Sequence, residues 1–172
     1  VIDTKLERLS FEALIKRVQD IKPDVIGISS MTHEISTCGE LCDLLKKINS
    51  NIITVVGGVH ITALPEETLK TFSGFDIGIV GEGEEILYNL VENINDLNRV
   101  RGIVFRENGS VVLNQAAPVI NNLDSLPLPD WSPFPKSSRY HIITARGCPF
   151  HCSFCMTPYG KEVRERSPEN VL

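Results

Sequence analysis

Apolar positions change their spacing from one stretch of the chain to the next, and the changes predict its elements. Leu14, Ile15, Val18 and Ile21 recur at helical spacing within Phe11 to Ile21. Asp24-Val25-Ile26-Gly27-Ile28-Ser29 is an apolar run of strand length, which predicts a strand covered on both faces. A second helix is predicted over Thr37 to Ile48, then a β-branched strand from Ile52 to Val56 that ends at Gly57-Gly58. A short helix through Pro65 to Phe72 and a strand from Asp76 to Val80 follow. Gly81-Glu82-Gly83 then opens a helix that runs to about Asn93. Val1 to Asp3 reads as the end of one further strand. Strands alternating with helices predict an α/β domain on a parallel sheet, over residues 1–98.

Beyond that point the pattern changes. Gly102 to Phe105 and Val111 to Leu113, split by Glu107-Asn108-Gly109-Ser110, predict a β-hairpin within residues 99–115. Residues 116–137 carry Pro118, Pro127, Pro129, Pro133 and Pro135 and read as an extended linker, with Leu123, Leu126 and Trp131 laid against a neighbouring domain. Residues 138–172 open a second domain. There Ile142 to Ala145 predicts a short strand, and Ser167 with Pro168 behind it predicts a capped helix start.

Composition narrows the function classes. The chain of 172 residues has a net charge of -5, which argues against a general nucleic-acid binder because phosphate contacts need a basic face. No stretch approaches the ~20 apolar residues that a membrane span needs, and Val1-Ile2-Asp3-Thr4-Lys5 has no signal-peptide pattern. Five cysteines make a fully paired secreted framework an unexpected outcome, so a reducing cytoplasm is the expected setting. Cys38 and Cys42 lie four apart on the second helix and read as packing residues.

The candidate chemistry is concentrated in Arg-Gly-Cys-Pro-Phe-His-Cys-Ser-Phe-Cys, where Cys148, Cys152 and Cys155 place three thiols within eight residues. An ordinary iron–sulfur cluster takes four cysteines, so three would leave one iron open to a small-molecule ligand. The same cysteines with His141 or His151 would also suit a structural zinc, and two of them could close a disulfide. In an open parallel sheet, ligands bind outside the carboxyl ends of the strands. Three loops are expected there: Ser29-Ser30-Met31-Thr32-His33, Gly57-Gly58-Val59-His60 and Gly81-Glu82-Gly83-Glu84. The first offers hydroxyls, the second close backbone approach and the third backbone donors at a helix start.

These segments together resemble a known arrangement. The C-x-x-x-C-x-x-C spacing with Phe154 before its last cysteine resembles the signature of the radical S-adenosylmethionine enzymes. Pro-Asp-Val-Ile-Gly-Ile-Ser-Ser-Met-Thr, Val-Gly-Gly-Val-His-Ile-Thr and Ile-Val-Gly-Glu-Gly-Glu-Glu resemble the cobalamin-binding domain that precedes the barrel in the cobalamin-dependent members, a group that includes C-methyltransferases and the anaerobic magnesium-protoporphyrin monomethyl ester cyclase. The resemblance implies a Rossmann-like, flavodoxin-like sheet sandwiched by helices, then the hairpin, the linker and the first β/α unit of a radical barrel. It implies that Ser29, Ser30, Met31, Thr32, Gly57, Gly58, Val59, His60, Gly81, Glu82 and Gly83 line a cobalamin slot, and that Cys148, Cys152 and Cys155 hold a 4Fe-4S cluster. S-adenosylmethionine would bind the open iron with Phe154 near its adenine, and its cleavage would give a 5′-deoxyadenosyl radical.

His60 is expected beside the cofactor's nucleotide tail and not on cobalt, because the Asp-x-His-x-x-Gly loop that supplies such a ligand elsewhere does not occur. The resemblance also implies that the family's first strand, central in its sheet, and the later barrel motifs are missing. The chain is therefore expected to be a piece of an enzyme, inactive alone, and open to chain exchange or dimerisation. Its expected partner is a small-molecule substrate. Two other readings remain: a stand-alone cobalamin-binding module, and a zinc-stabilised α/β interaction domain.

Overall fold

The computed structural model describes residues 1–4 and 6–172. Its frame is one five-stranded sheet in the order β1 (Val25–Ser29), β2 (Ile53–Gly57), β3 (Ile77–Ile79), β4 (Ile103–Glu107), β5 (Ser110–Leu113). β1, β2 and β3 run parallel, with Val25 opposite Ile53 and Val55 opposite Ile77. The hairpin does not stand apart from this sheet. β4 pairs antiparallel with β3, Gly78 opposite Val104, and β5 closes the far edge.

The helices form where the periodicity predicts them, and their ends have local causes. α1 (Phe11–Ile21) is capped by the Ser10 side chain, which accepts from the Ala13 amide, and it stops at Lys22 in the left-handed conformation just before Pro23. α2 (Ile35–Ile48) carries Lys46 and Lys47 in its last turn, where cations suit the helix dipole. A five-residue helix not expected from the sequence, α3 (Val59–Ala63), comes straight off Gly58 and leads into α4 (Pro65–Thr71), and α5 is Gly83–Glu92.

Alternation along the strands gives the sheet two buried faces. Val55, Ile77, Ile79 and Phe105 pack with Ile86 and Leu90 of α5, while Val56 and Val104 pack with Cys42, Ile61, Leu69 and Phe75. At the amino ends of β2 and β3, Asp76 accepts from Lys46 Nζ at 2.5 Å and from the Thr54 amide at 2.7 Å.

β1 departs from the expectation of a strand covered on both faces. Val25, Ile26 and Ile28 are only half-buried, and Gly27 and Ser29 are exposed. The reason is its place at the sheet's edge: among the described residues no strand pairs with its outer side. An apolar trough of about 790 Å³ runs along that side, bounded by Leu14 and Val18 of α1 and by Leu41 and Leu45 of α2. Val1 to Asp3 also line the trough, but they are not a strand, which corrects the expectation for that segment.

The remainder is looser. Ile120, Leu123 and Leu126 of the linker form a small cluster of their own, and Trp131 meets the rings of Phe134 and Tyr140. The strand expected over Ile142 to Ala145 is shorter and shifted: β6 is Ala145–Arg146, paired antiparallel with β7 (Arg164–Glu165). Ser167 caps α6 (Pro168–Val171) by accepting from the Asn170 amide at 3.2 Å.

Candidate functional site

The three loops predicted for one sheet edge do meet there, and hydrogen bonds join them. Ser30 leaves β1 with its amide donating to the Gly57 carbonyl at 3.0 Å, which continues the β1–β2 ladder into the loops. Its hydroxyl donates to the Met31 carbonyl at 3.0 Å, so the buried Ser30 is occupied locally, while Ser29, Met31 and Thr32 are exposed. Gly58 has φ +104, a conformation that L side chains rarely adopt, and a Cβ there would stand 2.5 Å from the Ser30 carbonyl oxygen. Only glycine allows the first two loops to come this close. Gly57 has nothing within 4 Å of a built Cβ, so it leaves open space at the same edge.

Val59 and His60 are not loop residues, as expected from the sequence, but the first turn of α3. His60 Nδ1 lies 3.3 Å from Thr32 Oγ1, joining the first and second loops. Thr62 is a further site residue that the sequence reading passed over. Its hydroxyl donates to the Gly58 carbonyl at 2.9 Å and accepts from the Gly81 amide at 3.1 Å, so one side chain ties the second loop to the third. The Thr62 to Gly58 bond is the i to i−4 back-bond that threonine makes on helices. The contact with Gly81, 19 residues on, had no local signal.

Glu82 stands apart from the rest of its loop. Its carboxylate is buried and engaged by Arg164, Arg146 and the Ile120 amide. Burial alone would raise its pKa, but the hydrogen bonds from Arg164 and Ile120 and the two arginine charges outweigh that and hold it below the ordinary carboxylate value. Glu84 is shifted the same way: burial opposes ionisation and the bond from Arg146 overcomes it. Gly83 is the first residue of α5, two residues after the Gly81 that Thr62 holds. His33 is exposed, with Nε2 3.6 Å from Glu34 Oε1.

The cysteine loop lies between β6 and β7. Cys148 is half-buried, Cys152 and Cys155 are exposed, and all are free thiols. The Cys155 amide donates to the Cys152 carbonyl at 3.1 Å in a tight turn, yet among the described residues the three sulfurs are not drawn into one ligand group. Neither His141 nor His151 joins them in such a group. The donor set still suits an iron–sulfur cluster: three accessible thiols with no disulfide between them. Phe154 is 90% exposed, so it is not packed into an adenine pocket among the described residues. Cys42, by contrast, is fully buried and its thiol is pushed up to about 12, first by burial and then by the neighbouring Cys38 and Asp76, so it stays a packing residue.

A mixed α/β sheet whose three parallel strands carry bonded loops at their carboxyl ends belongs to the open-sheet class, which binds ligands at that edge. Within that class, a model of the B12 binding domain matches residues 1–91, and the chain belongs to that family. The chain is 32% identical to an uncharacterized methyltransferase, PH0819, of Pyrococcus horikoshii, over all of this chain and 40% of that protein. It is also 32% identical to the anaerobic magnesium-protoporphyrin IX monomethyl ester cyclase of Rubrivivax gelatinosus, over 99% of this chain and 34% of the relative. Among solved structures, the cobalamin-dependent S-adenosylmethionine radical enzyme OxsB superposes with a TM-score of 0.76 at 26% identity, over 94% of this chain and 24% of that one. The radical S-adenosylmethionine methyltransferase TsrM of Kitasatospora setae, solved with cobalamin and a [4Fe-4S] cluster, shares the fold with a TM-score of 0.74 at 17% identity, over 99% of this chain and 38% of that one. The chain thus spans well under half the length of these proteins. No helix among the described residues is long and apolar enough to cross a membrane.

Proposed function

We propose that this chain is the cobalamin-binding part, with the first cysteine-bearing segment, of a cobalamin-dependent radical S-adenosylmethionine enzyme that transfers a methyl group to, or oxidatively closes a ring at, an unactivated carbon. The observation that carries this reading is the succession within one chain of three bonded loops at a sheet's carboxyl edge and a C-x-x-x-C-x-x-C loop between two short strands. Ser30 and Gly58 set the floor of the cobalamin slot by their close approach. Gly57 leaves room above it, exposed Ser29, Met31 and Thr32 offer polar and apolar contacts, and Thr62 holds the Gly81 turn in place. His60 is turned to Thr32, which fits a role beside the cofactor and not on cobalt.

Cys148, Cys152 and Cys155 would hold a 4Fe-4S cluster with one iron left for S-adenosylmethionine. When bound, these cofactors supply the electron, the radical and the methyl group, and the protein supplies orientation. The chain's own contribution is to keep the thiols accessible for cluster assembly and to hold the loop ends by backbone bonds such as Cys148 to Gly160 at 3.1 Å.

Anaerobic reconstitution of the intact protein with iron and sulfide, followed by electron paramagnetic resonance of the reduced state, tests this reading. The expected result is a cluster signal that shifts when S-adenosylmethionine is added. Stoichiometric zinc with no cluster signal would replace it with the structural-metal reading.

A further inference from the structure

The cysteine loop has almost no apolar floor. Ile142 and Ile143 before it are 40% and 51% exposed, and Phe150 and Phe154 within it are 68% and 90% exposed. Hydrophobic burial therefore does not fix where the loop sits. Polar contacts do: Arg166 and Ser167 bind Leu126, Pro127 and Asp124 of the linker, and toward the α/β domain the buried contacts centre on Glu82, with Glu84 beside it.

Glu82, in the turn between β3 and α5, receives a fork from Arg164 of β7: Nη2 donates to Oε1 at 2.5 Å and Nη1 to Oε2 at 3.1 Å. The Ile120 amide donates to Oε2 at 3.1 Å, and Arg146 Nη1 of β6 reaches the same oxygen at 3.4 Å. Arg164 also donates to the carbonyls of Ile120 and Tyr159, each at 2.6 Å, and its Nε is the one buried side-chain nitrogen among the described residues without a partner. Arg146 in turn binds Glu84 through both Nη atoms and lies 5.4 Å from the centre of the Tyr159 ring. One carboxylate thus gathers the β3–α5 turn, the linker and both strands that bracket the cysteines.

The loop is tied to those strands in its turn. Cys148 donates its amide to Gly160, and Arg166 donates its amide to Thr144 at 2.8 Å. Gly147 has φ +92, with the Glu162 backbone where a Cβ would stand. A buried ion pair yields little net stability over apolar groups of the same volume. Its two-pronged geometry fixes relative orientation, which a greasy contact does not.

We propose that Glu82 is the positioning residue of the cysteine loop, fixing Cys148, Cys152 and Cys155 relative to the cobalamin-binding edge through Arg164 and Arg146. What the loop is positioned for rests on the cluster reading above; the anchoring itself does not.

The test is hydrogen exchange by mass spectrometry on Glu82→Gln made in the intact protein. Peptides within 145–166 should exchange roughly tenfold faster or more, while β1 to β3 keep their wild-type rates, because only the local opening is affected. Unchanged rates in 145–166, or an equal rise through the whole sheet, would overturn the proposal. Arg164→Lys keeps the charge and loses the fork, so it should behave like Glu82→Gln; wild-type exchange in this variant also overturns it. If Glu82→Gln does not accumulate folded, Glu82→Asp keeps the charge but cannot reach the Arg164 fork, so it should accelerate the same peptides by a smaller factor, and no change there counts against the anchor. Cluster reconstitution in the wild-type protein is read separately. Its failure beside the expected exchange pattern removes the cluster reading and leaves the anchor standing.

Discussion

At the scale of single residues, the two adjacent glycines after β2 do different work. Gly58 combines φ +104 with a Cβ position 2.5 Å from the Ser30 carbonyl oxygen, whereas Gly57 has open space around it. Gly58→Ala should therefore cost about 1–3 kcal/mol, the usual cost of a strained backbone position, and should weaken cobalamin binding by prising the first two loops apart. Gly57→Ala should leave the urea midpoint close to wild type while still reducing cobalamin affinity, since on the proposed reading its methyl group would occupy open space in the slot. Urea unfolding and an absorbance titration with cobalamin separate the two, and equal loss of stability in both variants would refute the assignment. The glycine pair was visible in the sequence as a candidate site. Its division of labour was not, because that depends on Ser30, 28 residues earlier, arriving against one glycine and not the other. Likewise Glu82 was legible as part of a loop at a helix start, but its partner Arg164 lies 82 residues away and no local pattern pairs them.

At the scale of elements, the β6–β7 pair is docked by charge, and its docking should follow pH. Glu82 and Glu84 both have pKa values lowered from the ordinary 4.5 in the folded chain. A lowered folded pKa means that the unfolded chain takes up the proton first as pH falls. The stabilisation is then complete above 4.5 and is lost progressively as pH drops from there through the folded value. Hydrogen exchange of peptides 145–166, corrected for the intrinsic pH dependence, should show protection that is flat above pH 4.5 and declines below it. In Glu82→Gln that decline should shrink to the part due to Glu84; an undiminished decline would show that other groups control the docking.

The regular elements themselves were readable where the local pattern is strong: the helical spacing of Leu14, Ile15, Val18 and Ile21 gives α1, and the β-branched run from Ile52 to Val56 gives β2. Reading failed where tertiary context decides. Val1 to Asp3 has strand composition but, among the described residues, no strand partner, and Ile142 and Ile143 are apolar yet stay exposed. α3 forms on the close approach at Gly58 in a stretch whose sequence reads as a loop.

At the scale of the whole molecule, two candidate cofactor sites stand on pieces of different character. The cobalamin edge is built on a sheet with two buried faces, and the cysteine loop on a two-residue strand pair held by ion pairs. On the proposed reading the thiols themselves touch neither the sheet nor its loops, so binding at the first site should not require metal at the second. Replacing Cys148, Cys152 and Cys155 together by alanine should abolish cluster absorption after reconstitution yet leave cobalamin affinity and the urea midpoint unchanged. The thiols support no buried core, since Cys152 and Cys155 are exposed and Cys148 is half-buried. The zinc-stabilised reading demands the opposite, because a structural metal contributes folding free energy and its loss would lower stability markedly. A fall in the midpoint on triple substitution, or on chelation of the wild-type protein, would therefore favour zinc. An unchanged midpoint with the cluster gone would leave the cysteines as a functional site carried on a fold that stands without them.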